Sequence, residues 1–193
     1  MTVRRSLQII RDEHASLAAM LQSMRMLIER GPAESRTNFF DVVRAMLFYI
    51  DEFPERLHHP KESNLLFPKV VKSAPKVLGA IDRLERDHMH SEKAARELQH
   101  LLLAWELLGP SRRPAFQEAF SKYIDFYLDH MNMEEEVILP EAEKVLSPAE
   151  WSEIDAAFEK NADPLTGKYP PTAEYEKLFS LIVQRAPAPI GLG

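Results

Sequence analysis

Three histidine–glutamate pairs in the sequence have the residue types and the spacing of metal ligands. In each pair the glutamate follows the histidine by four residues, and the pairs are His58 with Glu62, His88 with Glu92, and His130 with Glu134. A fourth histidine, His14, lies in an earlier amphipathic pattern. A separation of four places two side chains on one face of a helix, about 6 Å apart. Imidazole nitrogens and carboxylate oxygens grouped in this way can bind a cation.

All seven of these side chains occupy positions that the apolar pattern assigns to the core. A buried carboxylate without a partner is strongly unfavourable, and three would be worse. Cations between the helices would neutralise the carboxylates and use the lone pairs of the imidazoles. A single histidine on an apolar face is usually an ordinary core residue, but the coincidence on four helices favours a metal site.

Composition leaves nitrogen and oxygen as the only credible metal ligands. The chain has 193 residues, seven histidines, no cysteine and a net charge of −6. The absence of cysteine excludes disulfides, zinc ribbons, Fe–S clusters and thiol nucleophiles. The acidic balance argues against a nucleic-acid surface. The sequence has no apolar run of about 18 residues, and residues 1–6 do not resemble a signal segment. We therefore expect a cytoplasmic protein with no membrane partner and no nucleic-acid partner.

Four amphipathic helices are predicted to position the candidate ligands. Apolar residues recur at steps of three and four, which predicts an all-α protein. The helices are separated near Gly31-Pro32, at Ser73-Ala74-Pro75 and at Gly109-Pro110. Short connections of this kind favour an up-down-up-down four-helix bundle. Three prolines predict that the second helix is bent or broken, and they are Pro54, Pro60 and Pro68.

The chain is predicted to divide into a metal-binding bundle over residues 1–146 and a helical extension over residues 147–193. A capping-box pattern from Ser147 to Glu150 opens a short helix that ends near Lys160. Thr172 can cap a last helix that runs to about Arg185. The extension has too few apolar residues to fold alone, so we expect it to pack on the bundle.

Residue counts along the helices predict that all seven ligand candidates lie in one layer. The distances from the connections differ by at most five residues, which is roughly 8 Å at the rise of an α-helix. Seven nitrogen and oxygen ligands suit two first-row metals, and a carboxylate-rich bundle site favours iron over zinc. His59 is expected to reach the edge of the site or to support a ligand from behind, whereas His90 and His100 are expected at the surface.

The sequence resembles the hemerythrin-like, or HHE cation-binding, family over about residues 5–145. The motifs that carry the resemblance are Asp12-Glu13-His14, His58-His59-Pro60-Lys61-Glu62, Leu66-Phe67-Pro68, Asp87-His88, and the run 130–140 from His130 to Pro140. The resemblance implies a centre of two iron ions with an oxo or hydroxo bridge that can bind dioxygen. It implies that His14 and His58 serve one iron, that His88 and His130 serve the other, and that Glu62 and Glu134 bridge them.

Two departures from the oxygen-carrying members of that family bear on function. Those members have a second histidine at the position of Glu92, and an aspartate five residues after the last histidine, where Glu134 here is four residues after it. A carboxylate in place of an imidazole favours the ferric state, with Glu92 as a terminal ligand or an anchor behind the ligands. Sensing, peroxide or NO chemistry, or iron handling is therefore favoured over reversible oxygen carriage.

Three functions stay open from the sequence. The first is a non-haem di-iron protein that binds or senses dioxygen, NO or peroxide. The second is a di-iron enzyme that decomposes peroxide or acts as an oxidase. The third is an iron-handling or metal-stabilised module that docks a protein partner through its extension. Other divalent metals and a homo-oligomer also stay open.

Overall fold

The structure is a computed structural model that describes residues 4–32 and 35–193. Within these ranges nearly all of the regular structure is helical and there is no strand, which confirms the all-α prediction. Residues 1–3 belong to the N-terminal segment interpreted above, and residues 33–34 belong to the first connection. Both lie outside the described part of the chain.

Four long helices and two shorter ones make up the described fold. The long helices are α1 (Arg5–Arg30), α2 (residues 36–73), α3 (Leu78–Leu108) and α4 (residues 113–145). The shorter ones are α5 (Pro148–Phe158) and α6 (Glu176–Arg185), and 3₁₀ turns lie at Pro75–Val77, Pro110–Arg112 and Pro164–Thr166. Helices α1 and α3 each pack against both α2 and α4. This neighbour pattern brings all four long helices around a common interior.

The helix ends follow local sequence signals, with one exception. Helix α1 ends at Gly31, whose φ of 72° is accessible to glycine at little cost. The capping box of α5 is present, since the Ser147 side chain accepts from the Glu150 backbone and the Glu150 side chain accepts from the Ser147 backbone. The prediction that Thr172 caps the last helix is wrong. Residues 172–175 form a turn closed by the Tyr175 N–H and the Thr172 carbonyl, 2.9 Å apart, and α6 begins at Glu176.

Prolines explain the unusual winding of α2 and α4. Helix α2 contains π-helical segments at Asp51–His58 and Glu62–Leu66, and α4 contains one at Glu134–Ile138. A proline stands two residues after the end of each segment, and these prolines are Pro60, Pro68 and Pro140. A proline ring clashes with the carbonyl four residues before it, and the wider π turn moves that carbonyl away. The prolines therefore widen α2 and do not break it.

The apolar core consists of two clusters separated by a polar layer. One cluster contains Leu17, Phe53, Ala95 and Tyr127 among others. The second contains Ile10, Leu66, Leu84 and Ile138 among others. On every long helix, the predicted ligands stand between a residue of the first cluster and a residue of the second. The ligand candidates of the four helices are therefore at a common height.

The C-terminal helices lie against the long ones. Helix α5 packs on α1, and its Trp151, Ile154 and Phe158 are buried. Helix α6 packs on α2, and its Phe179 and Ile182 are buried. Among the described residues, no helix combines the length and the apolar character needed to cross a membrane.

Candidate metal centre

Six of the seven predicted ligands come together inside the bundle. Their side chains are buried, with Glu62 fully shielded and Glu134 only 1% exposed. The four histidines of the cluster are His14 on α1, His58 on α2, His88 on α3 and His130 on α4. The two glutamates each open a π-helical segment, one in α2 and one in α4. Wide helical turns of this kind occur frequently at functional sites.

The Glu62 carboxylate faces histidines on both sides. Its Oε1 lies 2.9 Å from Nε2 of His58, one helical turn earlier. Its Oε2 lies 3.5 Å from Nε2 of His88 on α3. The two oxygens of one carboxylate therefore point at different histidines.

The Glu134 carboxylate repeats this arrangement from α4. Its Oε2 lies 3.1 Å from Nε2 of His14. Its Oε1 lies 3.2 Å from Nε2 of His130 and 3.7 Å from Nε2 of His88. The ligand atoms thus form two sets that share both carboxylates. One set contains His14 and His58, and the other contains His88 and His130.

Behind the ligands on α1 and α2, carboxylates hold the far nitrogen of each histidine. His14 Nδ1 lies 2.9 Å from Glu135 Oε1, and His58 Nδ1 lies 2.6 Å from Glu13 Oε2. A carboxylate only accepts hydrogen bonds when ionised, so Nδ1 carries the hydrogen and Nε2 faces the cluster. An outer partner of this kind is what fixes the ring of a metal-bound histidine.

The histidines on α3 and α4 have weaker outer partners. His88 Nδ1 lies 3.0 Å from the Ser63 hydroxyl. His130 Nδ1 lies 3.6 Å from Asp87 Oδ2, which is beyond hydrogen-bond distance. Both rings still turn Nε2 toward the shared carboxylates.

Without a bound cation, the protonated histidines and the ionised glutamates of the cluster form charge pairs. Burial lowers the pKa of His14, but Glu134 and Glu135 together outweigh burial and raise it to about 8. Burial also lowers the pKa of His88, but Glu134 and Glu62 together outweigh burial and raise it to about 9. Burial raises the pKa values of Glu62 and Glu134, yet the surrounding imidazoles bring both below their usual range. A cation that entered would replace protons on the histidines.

Five buried polar atoms of the cluster have no hydrogen-bond partner, and they are Glu62 Oε2, His88 Nε2, His130 Nε2, Glu134 Oε1 and Glu134 Oε2. Unsatisfied buried groups are rare in native proteins and carry a free-energy cost. All five belong to residues of the two ligand sets that share Glu62 and Glu134. The donor set of imidazole nitrogens and carboxylate oxygens fits first-row metal ions.

Comparison with known families agrees with this geometry. The family described as the hemerythrin HHE cation binding domain matches residues 5–142. The chain belongs to that family. Neither the comparison with curated proteins nor the comparison with solved structures found a match. The family match and the buried cluster together identify this HHE domain as a cation-binding one.

The expectation that Glu92 faces the interior is wrong. Its side chain is half exposed and forms an ion pair with Arg96, four residues later. The buried positions of α3 alternate at steps of four and three, so the residue that follows His88 on the buried face is Ser91. The step that leads to His88 is already a step of four, so a second step of four to Glu92 departs from this alternation. Glu92 is therefore rotated away from the buried face.

The HHE domain has a second buried polar group beside the ligands, of which the sequence analysis assigned His59 but not its partner Glu55. His59 is 5% exposed, and its ring stacks on His88 with centroids 4.1 Å apart. Its Nδ1 lies 3.1 Å from Glu55 Oε2, and Glu55 also accepts from the Tyr127 hydroxyl. The expected place for His59 at the edge of the site agrees with this position. Glu55 precedes His59 by four residues, so the spacing rule that found the ligands could have found this pair.

Two residues from the loop after α5 were also missed. Asn161 and Asp163 are 5% and 3% exposed, and sequence reasoning treated them only as a helix end. Asn161 Nδ2 donates to Glu13 Oε2 over 2.9 Å, and the Tyr49 hydroxyl donates to Asp163 Oδ2 over 2.5 Å. Their burial depends on how α5 folds back over the bundle, and no local pattern signals it.

A small, partly open cavity adjoins the cluster. Its volume is about 20 Å³. Three ligand histidines line it, namely His14, His58 and His130. Apolar walls come from Leu17, Phe53, Pro54, Leu57 and Met131, and polar walls from Glu13, Tyr49, His59, Tyr127, Asn161 and Asp163. His88 does not reach it.

Proposed function

We propose that this HHE domain is a non-haem di-iron protein that binds or senses a small diatomic molecule or peroxide. The observation that carries the proposal is the pair of overlapping ligand sets that share Glu62 and Glu134. Buried carboxylates that face histidines with both oxygens suit two cations held side by side. Imidazole and carboxylate ligands inside a helical bundle favour iron.

The proposed roles follow from the atoms that face one another. His14 and His58 hold the first cation, His88 and His130 hold the second, and the two glutamates lie between them. When bound, a pair of iron ions supplies a coordination position for a small ligand and the capacity to exchange electrons with it. The protein orients the imidazoles, excludes bulk water and keeps the carboxylates ionised.

The cavity supports a small ligand and argues against a large one. A volume of about 20 Å³ accommodates about one water-sized molecule. Dioxygen, NO and peroxide are of that size, whereas an organic substrate is not. The three histidines in its wall come from both halves of the centre, which supports a ligand position next to both.

We also propose that the four long helices form an up-down-up-down bundle over residues 1–146 and that residues 147–193 are an appended extension. The short connections and the packing of α1 and α3 against both α2 and α4 support this topology. The family match ends at residue 142, close to the proposed boundary. Most of the large apolar side chains of α5 and α6 are already buried within this chain, which favours an internal role over partner docking, and they are Trp151, Ile154, Phe158, Phe179 and Ile182.

Metal analysis of protein purified without chelator, together with its electronic spectrum, tests the di-iron proposal. We expect two irons per chain and near-ultraviolet bands from an oxygen bridge to iron. One metal per chain, or two metals without iron, would contradict the proposal. A chain with Glu62→Gln provides the matched sample in which the bridge bands should disappear.

A second candidate, a peroxide-decomposing enzyme, is favoured by one observation. Burial raises the pKa of Asp163 to about 6, although the Tyr49 hydroxyl lowers it. A carboxyl with such a pKa in the cavity wall can give and take a proton near neutral pH, as a general acid or base does. Sequence reasoning found no such group.

Peroxide turnover separates the second candidate from the first. If the domain is an enzyme, the iron-loaded protein turns over peroxide and Asp163→Asn lowers the rate by at least 10-fold without changing the iron content. If the domain only binds or senses its ligand, the wild-type protein shows stoichiometric reaction and no sustained turnover.

A further inference from the structure

The loop after α5 supports a metal ligand from a part of the chain that the family match does not cover. The match ends at residue 142, and the loop contributes Asn161 and Asp163 to the cavity wall. Between them, Ala162 has a positive φ of 45°. This left-handed conformation is uncommon for a residue with a side chain. Both neighbours of Ala162 are buried in the same cavity wall.

A continuous hydrogen-bond chain joins Asn161 to His58. The Asn161 amide donates from Nδ2 to Glu13 Oε2, at 2.9 Å. The same oxygen of Glu13 accepts from His58 Nδ1, at 2.6 Å. His58 then presents Nε2 to Glu62 Oε1, at 2.9 Å. Every donor and acceptor in this chain is buried.

The orientation of the Asn161 amide is fixed from its other side. The Lys61 ammonium donates to the Asn161 carbonyl oxygen, which leaves the NH₂ group for Glu13. The same segment also packs on the ring of His58. The Phe158 ring meets that imidazole edge-to-face, with centroids 5.7 Å apart and planes at 83°.

We propose that Asn161 is a positioning residue of the metal centre, which holds Glu13 so that His58 keeps Nε2 toward the shared carboxylates. The C-terminal segment then sets how tightly the His14–His58 half retains its cation. This inference rests on the proposed function, because it concerns the cation of that same site. It assigns the extension a direct part in metal binding.

The hydrogen bonds between Asn161, Glu13 and His58 explain why an amide is needed at position 161. Glu13 Oε2 is an acceptor shared by two donors, so its position depends on both. Without the amide donor, the carboxylate can turn and His58 can adopt the other tautomer, with Nε2 protonated and unable to bind a cation. Loss of such an outer partner typically weakens metal affinity 10- to 100-fold.

Asn161→Asp is the sharpest test, because it nearly preserves the size of the side chain, removes the amide donor and sets a carboxylate against Glu13. Lys61 remains beside the new carboxylate, so the loop keeps one of its contacts. The second oxygen faces Glu13 with no proton to share. The metal-free full-length chain is titrated with Co²⁺, whose visible absorption reports nitrogen and oxygen ligands, in competition with a chelator. We expect one of two binding steps to weaken by about 10-fold or more and the other to change little.

A rescue variant separates positioning from simple packing. In the double variant Asn161→Asp with Glu13→Gln, the new amide at position 13 donates to the new carboxylate, and its oxygen accepts from His58. We expect the double variant to bind the first cation more tightly than Asn161→Asp alone. Asn38→Asp makes the same chemical change at an exposed position in the first turn of α2 and should leave both binding steps unchanged.

Each outcome of the titration decides one question. If the wild-type chain binds no Co²⁺, the proposed function fails and this inference fails with it. If the wild-type chain binds two and Asn161→Asp binds two with unchanged affinities, only this inference is overturned. If both steps weaken equally in Asn161→Asp and the double variant gives no recovery, Asn161 has a general structural role, which also overturns it.

Discussion

The two halves of the candidate metal centre, one with His14 and His58 and the other with His88 and His130, contain the same types of ligand and are supported differently. Behind His14 and His58 stand carboxylates, at 2.9 and 2.6 Å. Behind His88 stands a hydroxyl, at 3.0 Å, and His130 has only Asp87, at 3.6 Å. Hydrogen bonds to charged groups are roughly twice as strong as neutral ones.

Packing around the two halves also differs. The α1–α2 half borders the cavity through both of its histidines. On the other side, His88 is packed between the rings of His59 and Phe67, with centroids 4.1 and 5.8 Å away. The comparison indicates that the histidines of one half are oriented by charged partners and both border the cavity, whereas the other half borders it only through His130 and is held mainly by ring packing. Four experiments test this difference between the two halves.

The largest effect is expected where the two halves meet. Glu62→Gln and Glu134→Gln each remove a carboxylate that faces both histidine pairs, so each should reduce the metal content from two cations per chain to one or none. Metal analysis after gel filtration measures this loss. Two cations per chain in both variants would rule out the shared role of these carboxylates.

A large effect of pH is expected in the metal-free chain. The folded pKa values of His14 and His88 are raised to about 8 and about 9, above the usual value of 6.5. Their stabilising contribution is therefore complete below about pH 6.5 and is lost as the pH rises through 8 and 9, on the order of 2 kcal/mol for His14 alone. Thermal unfolding at pH 6.5 and pH 9 with chelator should record the loss. The metal-loaded protein provides the control, because bound cations replace those protons.

A moderate and unequal effect is expected from the outer partners. Glu135→Gln removes the charge behind His14 and should weaken one cation by roughly 10-fold. Ser63→Ala removes a neutral partner of His88 and should weaken the other cation by a smaller factor. Chelator competition on both variants compares the halves directly. Equal losses would contradict the difference in support described above.

The smallest effect is expected from Glu92→Ala. This carboxylate is half exposed and pairs with Arg96. Exposed ion pairs contribute about 0–1 kcal/mol, so the metal content should stay unchanged and the unfolding free energy should shift by less than about 0.5 kcal/mol. Loss of a cation from the Glu92→Ala variant would instead show that Glu92 is a metal ligand.

Much of the cluster was predictable because each ligand obeys a helical repeat. His14, His58, His88 and His130 lie on apolar stripes, and the stripes alone place them in the interior. The prediction for Glu92 was wrong because it used a separation of four, whereas the next step on the buried face of α3 is one of three, from His88 to Ser91. The sequence contained that signal, since Ala95 and Leu98 continue the same alternation.

Other parts of the site could not be predicted from local patterns. Asn161 and Asp163 are polar residues at a helix end, and they are buried only because the loop after α5 folds over the bundle. The winding of α2 was predicted only in part. Prolines signalled a disturbance, but whether a helix breaks or widens depends on the packing of both of its ends.

The π-helical segments also bear on how the length of this chain can change. An i→i+5 turn contains one residue more than an α-helical turn, so each segment acts as an insertion already absorbed by the helix. Deleting an exposed residue inside one of them, such as Asn64, would let the turn close to an α-helical one and leave both flanks in place. A deletion in α1 or α3 would instead rotate all later side chains by about 100°. A single-residue deletion beside these prolines would therefore leave the ligands of this chain aligned.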